Sequence, residues 1–301
     1  MPTSFTFYLD WIVCAQFAGL CWAKAKGLYT SAGLDVTLLP WQEDGRTIVE
    51  KVMAVGVCAG SSEDNLVVSA AAKYGNVKVI GAMLQETPLV LMSRPTQRIR
   101  SIQDLRGKRI GIHSDGNRAF EMVLALEGIA QGDIEVHEVT FDLEHLRQNR
   151  FDALQGYLMT EPIQLAALGI EVDVLPISHP RLHPYAQVFF ASTQTIANER
   201  DVLARFLTAS LEGWRAVLTH ADESAHIIAQ MMGDPSQVQE QRRMLDRLLP
   251  LVAGSLPIHQ IGTLITEQWQ RNLETYFQFG LVDKPLALTD VLDATLLPRM
   301  L

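Results

Sequence analysis

The feature that most constrains this chain is an alternation of two hydrophobic periods, repeated from its first residues to about residue 190. Phe5, Phe7 and Leu9 alternate with Thr6, Tyr8 and Asp10, the period of two expected of a strand with one buried face. From Gln16 the spacing changes to Phe17, Leu20, Cys21 and Lys24, one face of a helix ending before Gly27, and Gly33 then leads into a second strand over 34–39. The pattern continues with a helix over 45–53, a strand over 55–59, a helix over 62–74 and a strand over 77–83. Strands separated by single helices pair in parallel through crossovers, so the expected fold class is α/β, with a mostly parallel sheet covered by helices.

After an apolar strand over 88–92 the alternation restarts, with strands at 109–113, 135–140, 153–157 and 172–176. A further apolar strand over 187–191 precedes a strongly helical stretch, 199–279. Two extended crossings, near residues 93 and 190, would make the second set of strands an insertion. The expected organisation is a discontinuous lobe one, 1–92 and 191–301, with lobe two, 93–190, inserted into it. A length of 301 residues suits two domains at roughly 150 residues each.

Charge and composition exclude several classes. With 25 Lys+Arg against 34 Asp+Glu the net charge is −9, the wrong sign for neutralising phosphates, so no nucleic-acid partner is expected. An apolar share of 48% argues against disorder. Cys14, Cys21 and Cys58 have neither disulfide-framework nor zinc spacing and read as small buried hydrophobes. No uncharged apolar run reaches the roughly 18 residues of a membrane helix, so no membrane insertion is expected. Asp10 interrupts the apolar start and the first basic residue is Lys24, so no secretory signal reads out. The expectation is a cytoplasmic protein if the chain is complete, and a periplasmic or extracytoplasmic one if an export signal is missing from it.

Candidate binding residues lie at strand ends, where parallel sheets place their ligands. Asp10 and Trp11 close the first strand. Ser61 and Glu63 lie at a strand-to-helix junction, 60–65, whose hydroxyls and carboxylates also suit ordinary helix caps. In lobe two a strand ends at His113, and Ser114, Gly116 and Asn117 open a helix. Free backbone N–H groups and a glycine there would form a polar cradle admitting a ligand closely. Tyr157 and Glu161 follow another strand, and Tyr185 precedes the second crossing. Rings beside carboxylates and hydroxyls suit a flat, heteroatom-rich ligand, stacked by the former and oriented by the latter.

Enzyme signatures are lacking: there is no Gly-x-Ser-x-Gly, Walker loop or His-Glu-x-x-His. His179 and His183 are four apart but separated by prolines, which denies them a common helical face for a metal. No metal, cofactor or catalytic residue is expected. Trp214 and Trp269 lie in helical patterns and read as core, and the 101–111 segment reads as a helical turn, a glycine cap and a strand start.

Several segments together carry a family likeness: Leu9-Asp10-Trp11 through Gln16-Phe17-Ala18-Gly19, Ala25 to Tyr29, Ala32 to Val36, Asp104 to Gly111, Gly116-Asn117, Gly156-Tyr157 with Glu161 to Leu165, and Tyr185 through Ser192. In their order and spacing the chain resembles the NMT1/THI5-like group of periplasmic binding proteins over nearly its whole length. The resemblance implies a type II periplasmic-binding fold, two α/β lobes joined by two crossing strands, holding a small molecule in the cleft between them. It implies binding of a thiamine pyrimidine precursor or similar compound without turnover, with the membrane permease of an ABC importer as partner, and a monomer is expected. Gln16 and Phe17 join the candidate ligand residues on this basis. Their Gln-Phe-Ala-Gly stretch also looks like that of sensor-type relatives, so a ligand-sensing domain of a signalling receptor is the alternative. A eukaryotic branch of the group makes the thiamine pyrimidine phosphate itself, using a cysteine-rich run and a Lys and His. The corresponding stretches here, 184–192 and 60–66, contain no Cys, Lys or His, which leaves a synthase-like enzyme as the less favoured alternative.

Overall fold

The structure, a computed structural model, describes residues 2–54, 56–113, 116–140 and 142–298. Among the described residues ten strands run in chain order: β1 Thr3–Tyr8, β2 Leu34–Leu39, β3 Cys58–Ser62, β4 Val77–Ala82, β5 Leu89–Ser93, β6 Arg109–Ile112, β7 Glu135–Glu138, β8 Ala153–Tyr157, β9 Asp173–Pro176 and β10 Val188–Ser192. The chain divides into two compact units, 1–86 with 185–301, and 87–184. This places β5 in the inserted unit and β10 in the discontinuous one.

The discontinuous unit holds a sheet of order β2-β1-β3-β10-β4. β1 pairs in parallel with β2 and β3, whereas β10 is antiparallel to both β3 and β4. The inserted unit has the order β7-β6-β8-β5-β9, with β6 parallel to β7 and β8 and with β5 antiparallel to β8 and β9. Each sheet is therefore mixed rather than uniformly parallel. The reversed strand is in each case the one next to a crossing, because it does not arrive through a helix of its own unit.

Alternation in β1 does what the sequence requires: Phe5, Phe7 and Leu9 are buried and Thr6 and Tyr8 are not fully so. Phe206, from the helix Arg200–Val217, packs under this face with ring centroids 4.7 Å from Phe5 and 5.0 Å from Phe7. The same helix crosses Ala18–Ala25 closely. A Cβ on Gly213 would lie 2.1 Å from the Gly19 carbonyl oxygen, and one on Gly19 would lie 2.3 Å from Cγ of Trp214. Residues without side chains are thus required on both helices at the crossing. Trp214 and Trp269 are core, as their helical patterns suggest, and all three cysteines are buried thiols. In the inserted unit Val90, Met92, Leu146, Leu154, Leu165 and Ile170 form the core.

One segment differs from its sequence pattern. The strand expected over 55–59 is Cys58–Ser62, and the next helix, Asp64–Tyr74, starts after it with Glu63 as N-cap. Small residues fill β3 because the strand is central and tightly enclosed: a Cβ on Gly60 would come within 2.9 Å of Ile48 and 3.2 Å of Phe190. Val55 lies outside the described residues.

Candidate ligand-binding site

Parallel pairing brings the carboxyl ends of β1, β2 and β3 to one edge of the sheet in the discontinuous unit, and antiparallel β10 begins at that same edge. Asp10 and Trp11 after β1, Trp41 after β2, Ser61 in β3 and Gln187 before β10 consequently converge there. The Ser61 hydroxyl donates to Asp10 Oδ1 at 2.7 Å and accepts the Asp10 backbone N–H at 3.1 Å. Gln187 Nε2 donates to the same Oδ1 at 3.0 Å. Ser61 is thereby a strand residue that orients Asp10, not a helix cap. Burial pushes the Asp10 carboxyl above its ordinary range, and the bonds from Ser61 and Gln187 offset part of that rise.

Beside Asp10, the Trp11 and Trp41 rings stack with centroids 6.0 Å apart and 23° between planes, and the Trp41 backbone N–H donates to the Trp11 carbonyl at 3.2 Å. Both are 38% exposed, whereas Trp214 and Trp269 are 0% exposed. A tryptophan pair left open beside a carboxylate offers an apolar face and a polar edge to the same ligand. Trp41 was not singled out by the sequence. Its signal is positional: it follows β2 as Trp11 follows β1.

Other expected residues have different occupations. Phe17 is fully buried and Gln16 nearly so, in a turn whose Ala15 N–H donates to Gln241 Oε1 at 2.7 Å. The Gln-Phe-Ala-Gly stretch is thus a packing element of the Gly19 crossing. Tyr185 is buried with its ring stacked on Trp269 at 5.0 Å and 10°, so its face serves the core instead of a ligand. Glu63 is a buried N-cap residue whose carbonyl accepts from Val67 N–H.

In the inserted unit, Ser114 lies outside the described residues. The Gly116 and Asn117 N–H groups both donate to the His113 carbonyl, so they are not the free donors the sequence suggested. A Cβ on Gly116 would lie 2.3 Å from Gln155 Oε1, which accepts from His113 N–H at 3.1 Å. The missing side chain makes room for a buried glutamine. Glu161, the first residue of the helix Glu161–Ala167, accepts from the Tyr157 backbone N–H at 2.6 Å, and both side chains are partly exposed.

The sequence also missed a buried cluster around Asp64. Its N–H donates to the Tyr185 carbonyl at 3.0 Å, and its carboxylate accepts from Asn65 N–H at 2.8 Å and Asn272 Nδ2 at 3.4 Å. Burial pushes the carboxyl up to about 7 against these hydrogen bonds. Burial, then the neighbouring Asp64, holds the Tyr276 hydroxyl well above the usual phenol range. Among the described residues no group of three or more His, Cys, Asp or Glu could hold a metal ion, and no helix is long and apolar enough to cross a membrane.

Two mixed α/β units with reversed crossing strands define the fold of periplasmic solute-binding proteins. The chain belongs to the NMT1/THI5-like family, whose model matches residues 14–224. It is 26% identical over 289 residues to a riboflavin-binding protein, RibY, of Chloroflexus aurantiacus, covering 93% of this chain and 82% of the relative. It is 24% identical over 258 residues to a 4-amino-5-hydroxymethyl-2-methylpyrimidine phosphate synthase of Legionella pneumophila, covering 83% and 80%. Among solved structures, the periplasmic aliphatic sulphonate-binding protein SsuA of Escherichia coli aligns with a TM-score of 0.71 at 18% identity, covering 97% of this chain and 98% of that one.

Proposed function

We propose that this protein binds a small flat heteroaromatic molecule without turnover and delivers it, outside the cytoplasm, to the permease of an ABC importer. The observation that carries the reading is the exposed Trp11–Trp41 pair beside Asp10 at the carboxyl ends of β1 and β2. A ring seated on the tryptophans gains stacking, and the Asp10 carboxylate fixes its edge. The ligand class is that of a thiamine pyrimidine precursor or a flavin, and the name of the Chloroflexus relative favours the flavin. Binding without chemistry is supported by the thiols: burial pushes Cys14 and Cys21 up to about 12 and Cys58 to about 11, far from a reactive thiolate.

Native mass spectrometry of the purified protein, followed by calorimetry with riboflavin and with the hydroxymethylpyrimidine, tests the reading. A stoichiometric heteroaromatic adduct, returned unchanged after incubation, is expected. Failure of every heteroaromatic probe to bind, or conversion of a bound one to product, would overturn it.

A further inference from the structure

The polar groups at the lobe-one strand ends are unequal in kind. Asp10 Oδ1 takes two hydrogen bonds, from Ser61 Oγ and Gln187 Nε2, whereas Oδ2 takes none among the described residues. Gln187 is 0% exposed, and its Oε1, on the amide that touches Asp10, has no hydrogen-bond partner among the described residues. Asp10 Oδ2 and Gln187 Oε1, on side chains joined by the Nε2–Oδ1 bond, are therefore two acceptors, one charged when ionised and one neutral, each with an unused lone pair. The amide oxygen cannot donate, and neither can the carboxyl while it is ionised. No Lys, Arg or His of the described residues forms an ion pair with Asp10, and the groups acting on its carboxyl are Ser61, Gln187 and its own backbone.

Such a cluster has one complement. A ligand oxygen brought to it meets two acceptors and a negative charge, and a sulfonate meets them with three oxygens and a charge of its own. A ligand N–H satisfies an acceptor that otherwise stays desolvated and unpaired. From this geometry we infer that Asp10 and Gln187 select a heterocycle bearing N–H donors on the edge it presents, an imide or an exocyclic amine, and reject sulfonates. Gln187 acts twice: its Nε2 holds Oδ1 of Asp10, which leaves Oδ2 for the ligand, and its Oε1 adds a second acceptor. Ser61 completes the fixation from β3. The inference rests on the ligand-binding reading above and narrows it to a hydrogen-bonding class.

The test compares ligands that differ by one proton. Riboflavin carries an imide N–H, N3-methylriboflavin replaces it by a methyl group, and 3-(N-morpholino)propanesulfonate represents the sulfonates. In calorimetry the parent protein is expected to bind riboflavin at least tenfold more tightly than its N3-methyl analogue and to give no heat with the sulfonate. Asp10→Asn keeps an oxygen for Ser61 and Gln187 but puts an amide donor where Oδ2 stood, so the preference for riboflavin should fall to within about threefold. Gln187→Leu should reduce the preference in the same direction, and circular dichroism melts establish that each variant is folded. The readout is a ratio of two affinities for one folded protein, which a merely structural role would leave unmoved. Equal binding of riboflavin and its N3-methyl analogue by the parent would overturn the donor selection while leaving heteroaromatic binding standing. Binding of the sulfonate but of neither flavin nor the hydroxymethylpyrimidine would overturn both, and so would failure of all four to bind.

Discussion

Asp64 donates its backbone N–H to the carbonyl of Tyr185 at 3.0 Å, fastening the first residue of the helix Asp64–Tyr74 to the residue at which the chain re-enters the discontinuous unit. The carboxyl of the same Asp64 is buried beside Tyr276 and Asn272. A backbone tether and a costly buried acid thus belong to one residue, and the acid makes the tether's surroundings sensitive to pH.

Asp64 should make stability fall as pH rises from about 4 to about 7. Its ordinary value of 3.8 describes the unfolded chain, and its folded value is about 7. Between these the folded protein holds a proton that the unfolded chain has lost, so rising pH favours unfolding until the folded carboxyl has also ionised. The span corresponds to an effect on the order of 4 kcal/mol. Asp104 and Asp234, held low by local hydrogen bonds, act in the opposite sense at lower pH. The measurement is therefore a difference between parent and Asp64→Asn in denaturant melts from pH 4 to pH 8. The variant should gain relative to the parent as pH rises, and a pH-independent difference would show that Asp64 does not titrate in this window.

Much of the fold is legible in the sequence because one-faced strands announce themselves, as Phe5, Phe7 and Leu9 do in β1. β3 is not legible in this way. Its Cys-Ala-Gly-Ser-Ser run has no alternation because all five residues are buried, and its small side chains answer to Ile48 on the preceding helix and to Phe190, far away in sequence. The site divides similarly. Asp10 and Trp11 can be found at the end of a strand, but Gln187 meets Asp10 across 177 residues, a partnership created by strand order alone. Gly116 misled for a related reason: sequence reveals that a side chain is missing, not which neighbour fills the space.

Gly213→Ala should destabilise the discontinuous unit although alanine is the better helix former. The propensity gain is roughly 0.5–1 kcal/mol, whereas the new methyl group would lie 2.1 Å from the backbone oxygen of Gly19, which has no rotamer to yield. Separating the two helices loses packing around Trp214, and overpacking of this kind costs about 1–3 kcal/mol, occasionally more. Urea unfolding should show a net loss of at least 1 kcal/mol. A stabilised variant would mean that the crossing is looser than described.

Trp11→Ala and Trp41→Ala should each weaken binding of the heteroaromatic ligand about tenfold while leaving stability nearly unchanged, since both rings are partly open to solvent. A stacking ring contributes about 0.5–1.5 kcal/mol beyond its area term, to which the lost apolar contact adds. Because the rings are stacked on each other, the double variant should lose less than the sum of the single losses. Titration monitored by calorimetry checks this, and unchanged affinity in both single variants would exclude the pair as the platform.

Gly116→Ala separates a glycine that admits a ligand from one that admits Gln155. The added Cβ would come within 2.3 Å of Gln155 Oε1, so the amide must leave a buried position in which it accepts from His113 N–H. Displacing it strands that N–H as well as crowding the helix start, with an expected loss of about 1–3 kcal/mol in the inserted unit. Shortening the partner in Gly116→Ala/Gln155→Asn gives the new methyl group room, so the double variant should be more stable than the sum of the single effects allows. Denaturant melts without ligand measure this coupling. If Gly116→Ala melted like the parent and lost only ligand affinity, the glycine would belong to the binding site and not to the packing of Gln155.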